Sequence, residues 1–331
     1  RSCCAPACAA ASTSSGEPSG VSSGVSSGAS SGASSAKAFG VAPGDLLAEV
    51  NRRLATPQDV IELESDEAPV HEVILTGDDV AAEDIGAMPC MFPVKNLDGT
   101  DRGETYRPLL AQEKVRHVGQ PVAFIVAETL EQARDAAELV EVDYNVLASA
   151  TNTYTASLDG AAQLYDDVTN NVCFDWGKGQ QDETEAAFAK ASHVTTLELI
   201  NNRIVVNSME PRAAIGDYDE ATDKLTLYTS SQGTHGIRNT IADNILKIDK
   251  EKLRVVTGDV GGGFGMKIFT HPEQPMAVWA AKKVKRPVRW TSDRSEGFMS
   301  DIQGRDHVTK AEVACDDNGK FLALRVTTYA N

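Results

Sequence analysis

The stretch GDVGGGFGMK, Gly258 to Lys267, decides how the chain is interpreted, because half of its residues are glycine and one of the others is aromatic. It lies between the apolar run KLRVV, which predicts a strand, and HPEQPMAVWAAKKVK, which predicts a helix ending before Pro287. A glycine turn between a strand and a helix can present consecutive backbone N–H groups to an anion or a polar cofactor. The alternative is a tight packing turn that binds no ligand.

The familiar phosphate-binding motifs do not match this turn. A P-loop requires GxxxxGK[ST], but Lys267 is preceded by Met266 and followed by Ile268. A dinucleotide-binding fingerprint requires GxGxxG, and counted from Gly261 its third glycine falls on Met266. The turn therefore belongs to neither motif.

Composition restricts the class of protein. The chain has 331 residues, of which 41% are hydrophobic and 24% charged, as in a globular protein long enough for two domains. Its formal net charge of -17 argues against a nucleic-acid partner, which requires a cationic surface. No apolar run approaches the roughly 20 residues of a membrane span, and no secretory signal is recognisable. We therefore expect a cytoplasmic protein.

Residues 1–69 are expected to contain a low-complexity tail and a poorly defined acidic segment. The repeat VSSGVSSGASSGASS is too small and polar to bury apolar surface, so it predicts a flexible tail. Cys3, Cys4 and Cys8 cluster at the start, but they lack a neighbouring His or a CxxC spacing. We assign no metal site to them.

Residues 70–150 are predicted to form a small α+β unit. The segment HEVILTGDDV predicts a strand ending in a Gly-Asp-Asp turn, and Val122 to Val126 predict a second strand. Thr129 and Gln132 form a capping-box signature at the start of a helix. Glu141 to Tyr144 predict a further strand.

Residues 151–331 are predicted to form a second unit that mixes helices with hairpins. One amphipathic helix carries four isoleucines on one face: Ile237, Ile241, Ile245 and Ile248. Hairpins are predicted at the acidic turn Asp219 to Asp223 and at Asn318-Gly319. Because hairpins interrupt the alternation of strands and helices, the predicted fold class is α+β and not a regular parallel α/β sheet.

Six blocks of the second unit resemble, in content and order, the molybdenum-binding large subunit of the xanthine dehydrogenase and aldehyde oxidase family, which includes the aerobic carbon monoxide dehydrogenases. The blocks are NSMEPRAAIGDYD (207–219), YTSSQGTH (228–235), VGGGFGMK (260–267), RPVRW (286–290), TSDRSEGFMS (291–300) and GRDHV (304–308). The resemblance covers residues 70–331. It implies a hammerhead-type domain over 70–150, followed by the first part of a molybdopterin-binding domain over 151–331.

The function implied by this resemblance is that of a molybdenum hydroxylase-type oxidoreductase. Such an enzyme oxidises an aldehyde, an N-heterocycle or a small carbon substrate with oxygen derived from water. The implied cofactor is molybdenum–molybdopterin in its cytosine dinucleotide form, and the implied partners are an iron–sulfur small subunit and an FAD medium subunit. The alternatives are a non-catalytic scaffold or assembly protein and an inactive truncated product.

The resemblance also implies roles for particular residues of the turn. Gln232 falls where the family hydrogen-bonds an oxo ligand of molybdenum, and Phe264 falls near the metal. Gly262, Gly263 and Gly265 would join these two in binding the cofactor. The alternatives are a strand-end cap for Gln232 and a core position for Phe264.

The charged residues of the same blocks are interpreted as structural. Glu210 and Arg212 are predicted to pair with each other. A buried or interfacial ion network is predicted for four more: Arg294, Glu296, Arg305 and Asp306. The histidines His235, His271 and His307 lack metal-ligand spacing, so none is assigned to a metal.

The sequence departs from the family pattern at several points. Xanthine-oxidising members carry a purine-binding glutamate where this chain has Ile268, so purine oxidation is disfavoured. The family's general-base glutamate and the copper-binding loop of carbon monoxide oxidisers are expected beyond Asn331, so no catalytic residue is assigned within the chain. The chain does not start with Met and stops inside a strand pattern, and we expect a fragment that is inactive in isolation.

Overall fold

The structure, a computed structural model, describes residues 73–90 and 94–331. The predictions for the Ser/Gly repeat, the acidic segment and the three N-terminal cysteines lie outside the described residues. The strands are β1 (Val73–Thr76), β2 (Ala123–Val126), β3 (His193–Asn201), β4 (Ala213–Asp219), β5 (Lys224–Thr229), β6 (Leu253–Val256), β7 (Val288–Thr291), β8 (His307–Cys315) and β9 (Phe321–Ala330). The helices are α1 (Gly77–Ala82), α2 (Leu130–Glu138), α3 (Gln181–Lys190), α4 (Thr234–Asn239, continued by a π-helical turn over Thr240–Ile245), α5 (Glu273–Val284) and α6 (Arg294–Ser300).

The first unit is built on the antiparallel pair of β1 and β2, with Val73 opposite Val126. The predicted Gly-Asp-Asp turn is wrong, because the chain begins α1 there. The Asp79 carboxylate accepts hydrogen bonds from Thr76 N at 2.7 Å and from Thr76 Oγ1 at 2.9 Å, and this satisfies polar groups at the helix start.

The second helix begins where its capping box predicts. Gln132 N donates to Thr129 Oγ1 at 3.2 Å, and Thr129 N donates to Gln132 Oε1 at 2.9 Å. The strand predicted over Glu141 to Tyr144 is wrong. That segment is coil and largely exposed, because no strand among the described residues pairs with it.

A four-stranded sheet in the order β6-β5-β4-β7 forms the centre of the second unit. The β4–β5 hairpin has the predicted acidic turn, with Asp219 opposite Lys224, whereas β5 and β6 run parallel. Helix α5 lies on one face of this sheet. At Gly216 the contact is so close that an added Cβ would lie 2.2 Å from Ala277 O.

The hydrophobic core is continuous between the two units. Ile237, Ile241 and Ile245 are fully buried, so the predicted apolar face of the helix is confirmed for these three residues. The helix ends at Ile245, and Ile248 packs against the same cluster from beyond the helix end. Residues of the first unit join the same cluster: Val73, Leu75, Leu109 and Leu110. The α+β class is therefore confirmed, and no helix within the described ranges is long and apolar enough to cross a bilayer.

A separate three-stranded sheet in the order β3-β8-β9 includes the predicted hairpin at Asn318-Gly319. Helix α3 contacts one face, where Arg325 Nη1 donates to Glu185 Oε2 at 2.8 Å and the guanidinium lies 4.3 Å from the Phe188 ring centre. The register places six apolar residues on the opposite face: Leu197, Leu199, Ala311, Val313, Leu324 and Val326. We call this the apolar sheet face, and its four largest exposures range from 47% to 61%.

Candidate functional site

Three loops meet at the glycine turn: residues 207–212 before β4, 230–233 after β5 and 257–268 after β6. Because β5 and β6 are neighbouring parallel strands, their carboxyl ends place the second and third loops side by side. Backbone hydrogen bonds join all three loops. Gln232 N donates to Lys267 O at 3.1 Å, and Glu210 N donates to Gly261 O at 3.1 Å.

The Gln232 side chain lies directly against the turn. Its Oε1 accepts a hydrogen bond from Gly265 N at 2.9 Å, whereas its Nε2 has no hydrogen-bond partner among the residues that the structure describes. Ser231 satisfies the backbone at this strand end, since its Oγ accepts from Gly233 N at 2.9 Å. Gln232 therefore offers a free amide donor at the turn.

Two of the glycines are required by neighbouring protein atoms. A Cβ on Gly261 would lie 2.5 Å from the Cβ of Glu210, and a Cβ on Gly263 would lie 2.5 Å from the Cδ of Gln232. These distances are far below van der Waals contact. The turn therefore packs against the first and second loops through backbone atoms.

The backbone of the turn also adopts positive φ angles. Gly262 and Gly265 have φ of 105° and 86°, where glycine is favoured, and Phe264 has φ of 50°, which is unusual for a residue with a side chain. The Phe264 ring is 76% exposed, so the alternative of a core position is wrong. Such strain at a non-glycine residue is typical of functional sites.

The middle of the turn carries unused backbone donors. Gly261 N and Gly265 N are both hydrogen-bonded, to Glu210 Oε2 at 2.7 Å and to Gln232 Oε1 at 2.9 Å. Between them, the N–H groups of Gly262, Gly263 and Phe264 have no partner in the described part of the chain. Three consecutive free N–H groups beside a free amide form a donor set suited to an anionic or oxygen-rich ligand.

Lys267 is a residue of the site that the sequence reasoning missed. Its side chain is only 1% exposed, and its Nζ donates to Glu210 O at 2.8 Å, to Glu210 Oε2 at 2.8 Å and to Ser230 Oγ at 3.0 Å. Burial opposes ionisation of Glu210, but the hydrogen bonds from Lys267, Ser230 and Gly261 outweigh it and lower the pKa of the carboxyl. The sequence did contain a signal for this buried lysine, because Lys267 lies between the apolar residues Met266 and Ile268 directly after the glycines.

The predicted pair of Glu210 and Arg212 is wrong. Glu210 binds Lys267, whereas Arg212 is buried and bonds to Glu273 and, at 2.8 Å, to Asp301 Oδ1. The buried guanidinium is satisfied by carboxylates from α5 and from the end of α6, which lie far away in sequence. Arg212 therefore anchors β4 to the two helices behind the site.

The predicted network of four charged residues is divided into separate interactions. Arg294 holds the first loop, because its guanidinium donates to Asn207 Oδ1 at 2.6 Å, to Ser208 O at 2.8 Å and to Met209 O at 3.0 Å. Asp306 pairs instead with Arg203, at 2.6 Å. Burial, with the Glu273 carboxylate nearby, raises the pKa of Glu296 to about 7.

The histidines do not gather around the turn. His271 is buried beneath it, where its Nε2 donates to Met266 O at 3.2 Å. Burial lowers the pKa of His271 well below its usual value. Within residues 73–90 and 94–331, no group of three or more His, Cys, Asp or Glu side chains is placed to hold a metal ion.

Two family models match the chain. The model described as molybdopterin cofactor-binding domain matches residues 164–331, and the model described as aldehyde oxidase and xanthine dehydrogenase, a/b hammerhead domain, matches residues 65–148. The chain therefore belongs to the family of molybdopterin-binding large subunits that includes xanthine dehydrogenase and aldehyde oxidase.

Particular members are similar over most of this chain. The carbon monoxide dehydrogenase large chain of Hydrogenophaga pseudoflava is 32% identical over 67% of this chain and 29% of its own length. The 6-hydroxypseudooxynicotine dehydrogenase complex subunit gamma of Paenarthrobacter nicotinovorans is 34% identical over 68% of this chain and 28% of its own length. The solved structure of a reconstituted CO dehydrogenase from Oligotropha carboxidovorans superposes with a TM-score of 0.69 at 28% identity, over 84% of this chain and 33% of that one. The chain thus spans about a third or less of the length of these relatives.

Proposed function

We propose that the chain is the N-terminal part of the large subunit of a molybdenum hydroxylase-type oxidoreductase, and that its glycine turn contacts the molybdopterin cofactor. The observation that carries this proposal is the set of free donors at one point of the fold. The set consists of Gln232 Nε2 and the N–H groups of Gly262, Gly263 and Phe264. A cofactor with oxo, phosphate and pterin oxygens is a ligand that such donors bind.

The residues present fit this cofactor chemically. When bound, the cofactor supplies redox chemistry in which a carbon centre gains oxygen from water and gives up two electrons. The chain's own contribution is to bind and orient: Gln232 Nε2 and the turn amides donate to ligand oxygens. The exposed Phe264 ring supplies apolar surface that excludes water from the bound ligand.

The edge of the same site supports the proposed substrate class. Ile268 is 47% exposed, and its Cγ1 lies 3.8 Å from where a Cβ on Gly233 would be. This position therefore offers an apolar side chain and no hydrogen-bonding group. It supports an aldehyde, an N-heterocycle or a small carbon substrate, and disfavours a purine held by a carboxylate.

The wider assembly is part of the proposal. We place the general-base glutamate in a portion of the large subunit outside this chain, and the electron acceptors on iron–sulfur and FAD subunits. The apolar sheet face supports further polypeptide contacts, because exposed apolar patches of this kind mark interaction surfaces. The domain division at residues 70–150 and 151–331, the cytosine dinucleotide form of the cofactor and the cytoplasmic location remain predictions.

The test is cofactor content. The full-length large subunit that contains this chain is produced in a host that makes molybdopterin cofactors, and molybdenum and released cytidine nucleotide are measured per polypeptide. We expect Gln232→Ala to lower molybdenum occupancy about tenfold, as expected for the loss of a hydrogen bond to a charged ligand. Gln112→Ala, at an exposed position in the first unit, serves as the matched control. A wild-type chain without molybdenum or pterin would reject the cofactor site and favour the scaffold alternative.

A further inference from the structure

Lys267 stands out because it is a buried cation within the turn. Removing a charged ammonium group from water is unfavourable unless the group is fully hydrogen-bonded. Here all three Nζ protons have acceptors: Glu210 O, Glu210 Oε2 and Ser230 Oγ. The chain therefore retains a lysine where an apolar side chain would be simpler to bury.

The partner of this lysine closes the turn at its base. Glu210 Oε2 accepts from Gly261 N at 2.7 Å, at one end of the turn, and from Lys267 Nζ at 2.8 Å, at the other end. Ser230 Oγ donates to the same oxygen at 2.7 Å. One carboxylate oxygen thus joins both ends of the turn to the loop after β5.

The backbone of Lys267 adds a link to Gln232. Gln232 N donates to Lys267 O at 3.1 Å, and Ser231 Oγ donates to the same carbonyl at 3.3 Å. The lysine is therefore connected through its side chain to Glu210 and through its backbone to the residue that carries the free amide donor.

We propose that Lys267 is a positioning residue: acting through Glu210, it fixes the glycine turn so that the N–H groups of Gly262, Gly263 and Phe264 stay free for an anionic, oxygen-rich cofactor. The proposal rests on the proposed function for the identity of the ligand. Its structural part concerns the ligand-free chain and is tested separately. A merely structural lysine would change the free energy of unfolding without a specific effect on the turn.

The experiment compares amide hydrogen exchange in the ligand-free, ¹⁵N-labelled chain. Lys267→Met preserves length and removes the charge, so the Glu210 side chain, already 38% exposed, turns into solvent. We expect exchange of the Gly261 amide to rise about ten- to a hundredfold, as for loss of a hydrogen bond to a charged group. The Gly265 amide is bonded to the neutral Gln232 side chain, so its exchange is expected to rise about three- to tenfold as the turn loosens. Glu210→Gln keeps an acceptor oxygen and is expected to stay within about threefold of wild type.

The matched control is Lys282→Met, which removes the pairing of Lys282 with Asp223 on a distant part of the surface. It is expected to leave the turn amides unchanged. If Lys267→Met does not fold, Glu210→Ala is used for the same comparison, with the same expected rise. Gly261 and Gly265 exchange within twofold of wild type in the folded variant would overturn the positioning role.

A second measurement connects the Lys267–Glu210 pair, which we call the clamp, to the ligand. In the cofactor-producing host, Lys267→Met is expected to reduce molybdenum occupancy about tenfold, whereas Lys282→Met retains it. If the wild-type chain carries no cofactor, the proposed function fails while the exchange result still decides the role of Lys267 in the turn. Full occupancy in a variant whose turn amides have become unprotected would overturn the link between clamp and cofactor.

Discussion

Gly263→Ala is the substitution that most directly separates the fold of the turn from its chemistry. The backbone of Gly263 is not in the positive-φ region, so alanine is compatible with its conformation. Space is the difficulty, because the new Cβ would lie 2.5 Å from Gln232 Cδ and 2.6 Å from Gln232 Oε1. Gln232 is a flexible side chain on an exposed position, so it moves aside and the backbone stays.

The expected effect on folding is small. Displacing Gln232 breaks the hydrogen bond from Gly265 N, which contributes about 0.5–1.5 kcal/mol. Replacing glycine by alanine at a compatible position stabilises the folded state by about 0.4–1 kcal/mol, because the unfolded chain has less conformational entropy to lose. The two effects nearly cancel, so the free energy of unfolding changes by about 1 kcal/mol or less. Cofactor binding, in contrast, loses the Gln232 amide and is expected to weaken about tenfold or more.

The assay pairs urea unfolding with molybdenum content, and Gly265→Ala is the informative comparison. Gly265 has φ of 86° and no heavy atom within 4 Å of an added Cβ, so alanine there introduces backbone strain of about 1–2 kcal/mol without pushing Gln232. We expect Gly265→Ala to have the lower free energy of unfolding. Relative to its change in stability, Gly263→Ala is expected to lose more molybdenum than Gly265→Ala. A Gly263→Ala chain with wild-type molybdenum content and an unmoved Gln232 would refute this reasoning.

Three further predictions concern the framework of the site. Gly216→Ala forces a Cβ to within 2.2 Å of Ala277 O, a backbone atom, and is expected to lower the free energy of unfolding by at least about 2 kcal/mol in urea titrations; a neutral result would contradict the close packing of β4 on α5. Arg212→Leu leaves buried carboxylates unpaired and is expected to lower the free energy of unfolding by about 3–5 kcal/mol. The control Arg203→Leu removes a partly exposed ion pair and is expected to lower it by about 1 kcal/mol or less. Equal losses in the two variants would contradict the argument that burial of the Arg212 pair sets its larger effect. The pKa of Glu296 is raised from 4.5 to about 7, so between these pH values the folded chain holds a proton that the unfolded chain releases. The free energy of unfolding is therefore expected to fall as the pH rises from about 4.5 to about 7. Glu296→Gln should make this fall shallower, and an unchanged slope would show that Glu296 does not cause it.

Local signals in the sequence were enough to predict much of the fold. The capping box at Thr129 and Gln132 specifies a helix start through bonds three residues apart, and the acidic turn before Lys224 specifies a hairpin in the same local way. The strand predicted over Glu141 to Tyr144 is absent because a local sequence pattern does not supply a partner strand. Strand pairing depends on distant residues that the local pattern does not contain.

The site shows the same division between local and distant information. The sequence blocks placed Gln232 and the glycines in one neighbourhood, and the structure brings them within hydrogen-bonding distance. The ion pairs were assigned wrongly because nearness in sequence was used in place of nearness in space. Glu210 binds Lys267, 57 positions away, and Arg212 binds Asp301, 89 positions away.

Packing and backbone conformation explain the glycines of the turn, as in the packing alternative that the sequence left open. Gly261 and Gly263 are needed because Glu210 and Gln232 occupy the space of their side chains, and Gly262 and Gly265 are needed for positive φ. A ligand is not required to explain any of these glycines. The case for a ligand depends instead on what this packing achieves: it consumes the N–H groups at both ends of the turn and leaves the three between them free beside an unused amide. Burying the Lys267 charge to maintain that arrangement is difficult to explain for a turn that only packs, because an apolar residue would pack with less desolvation.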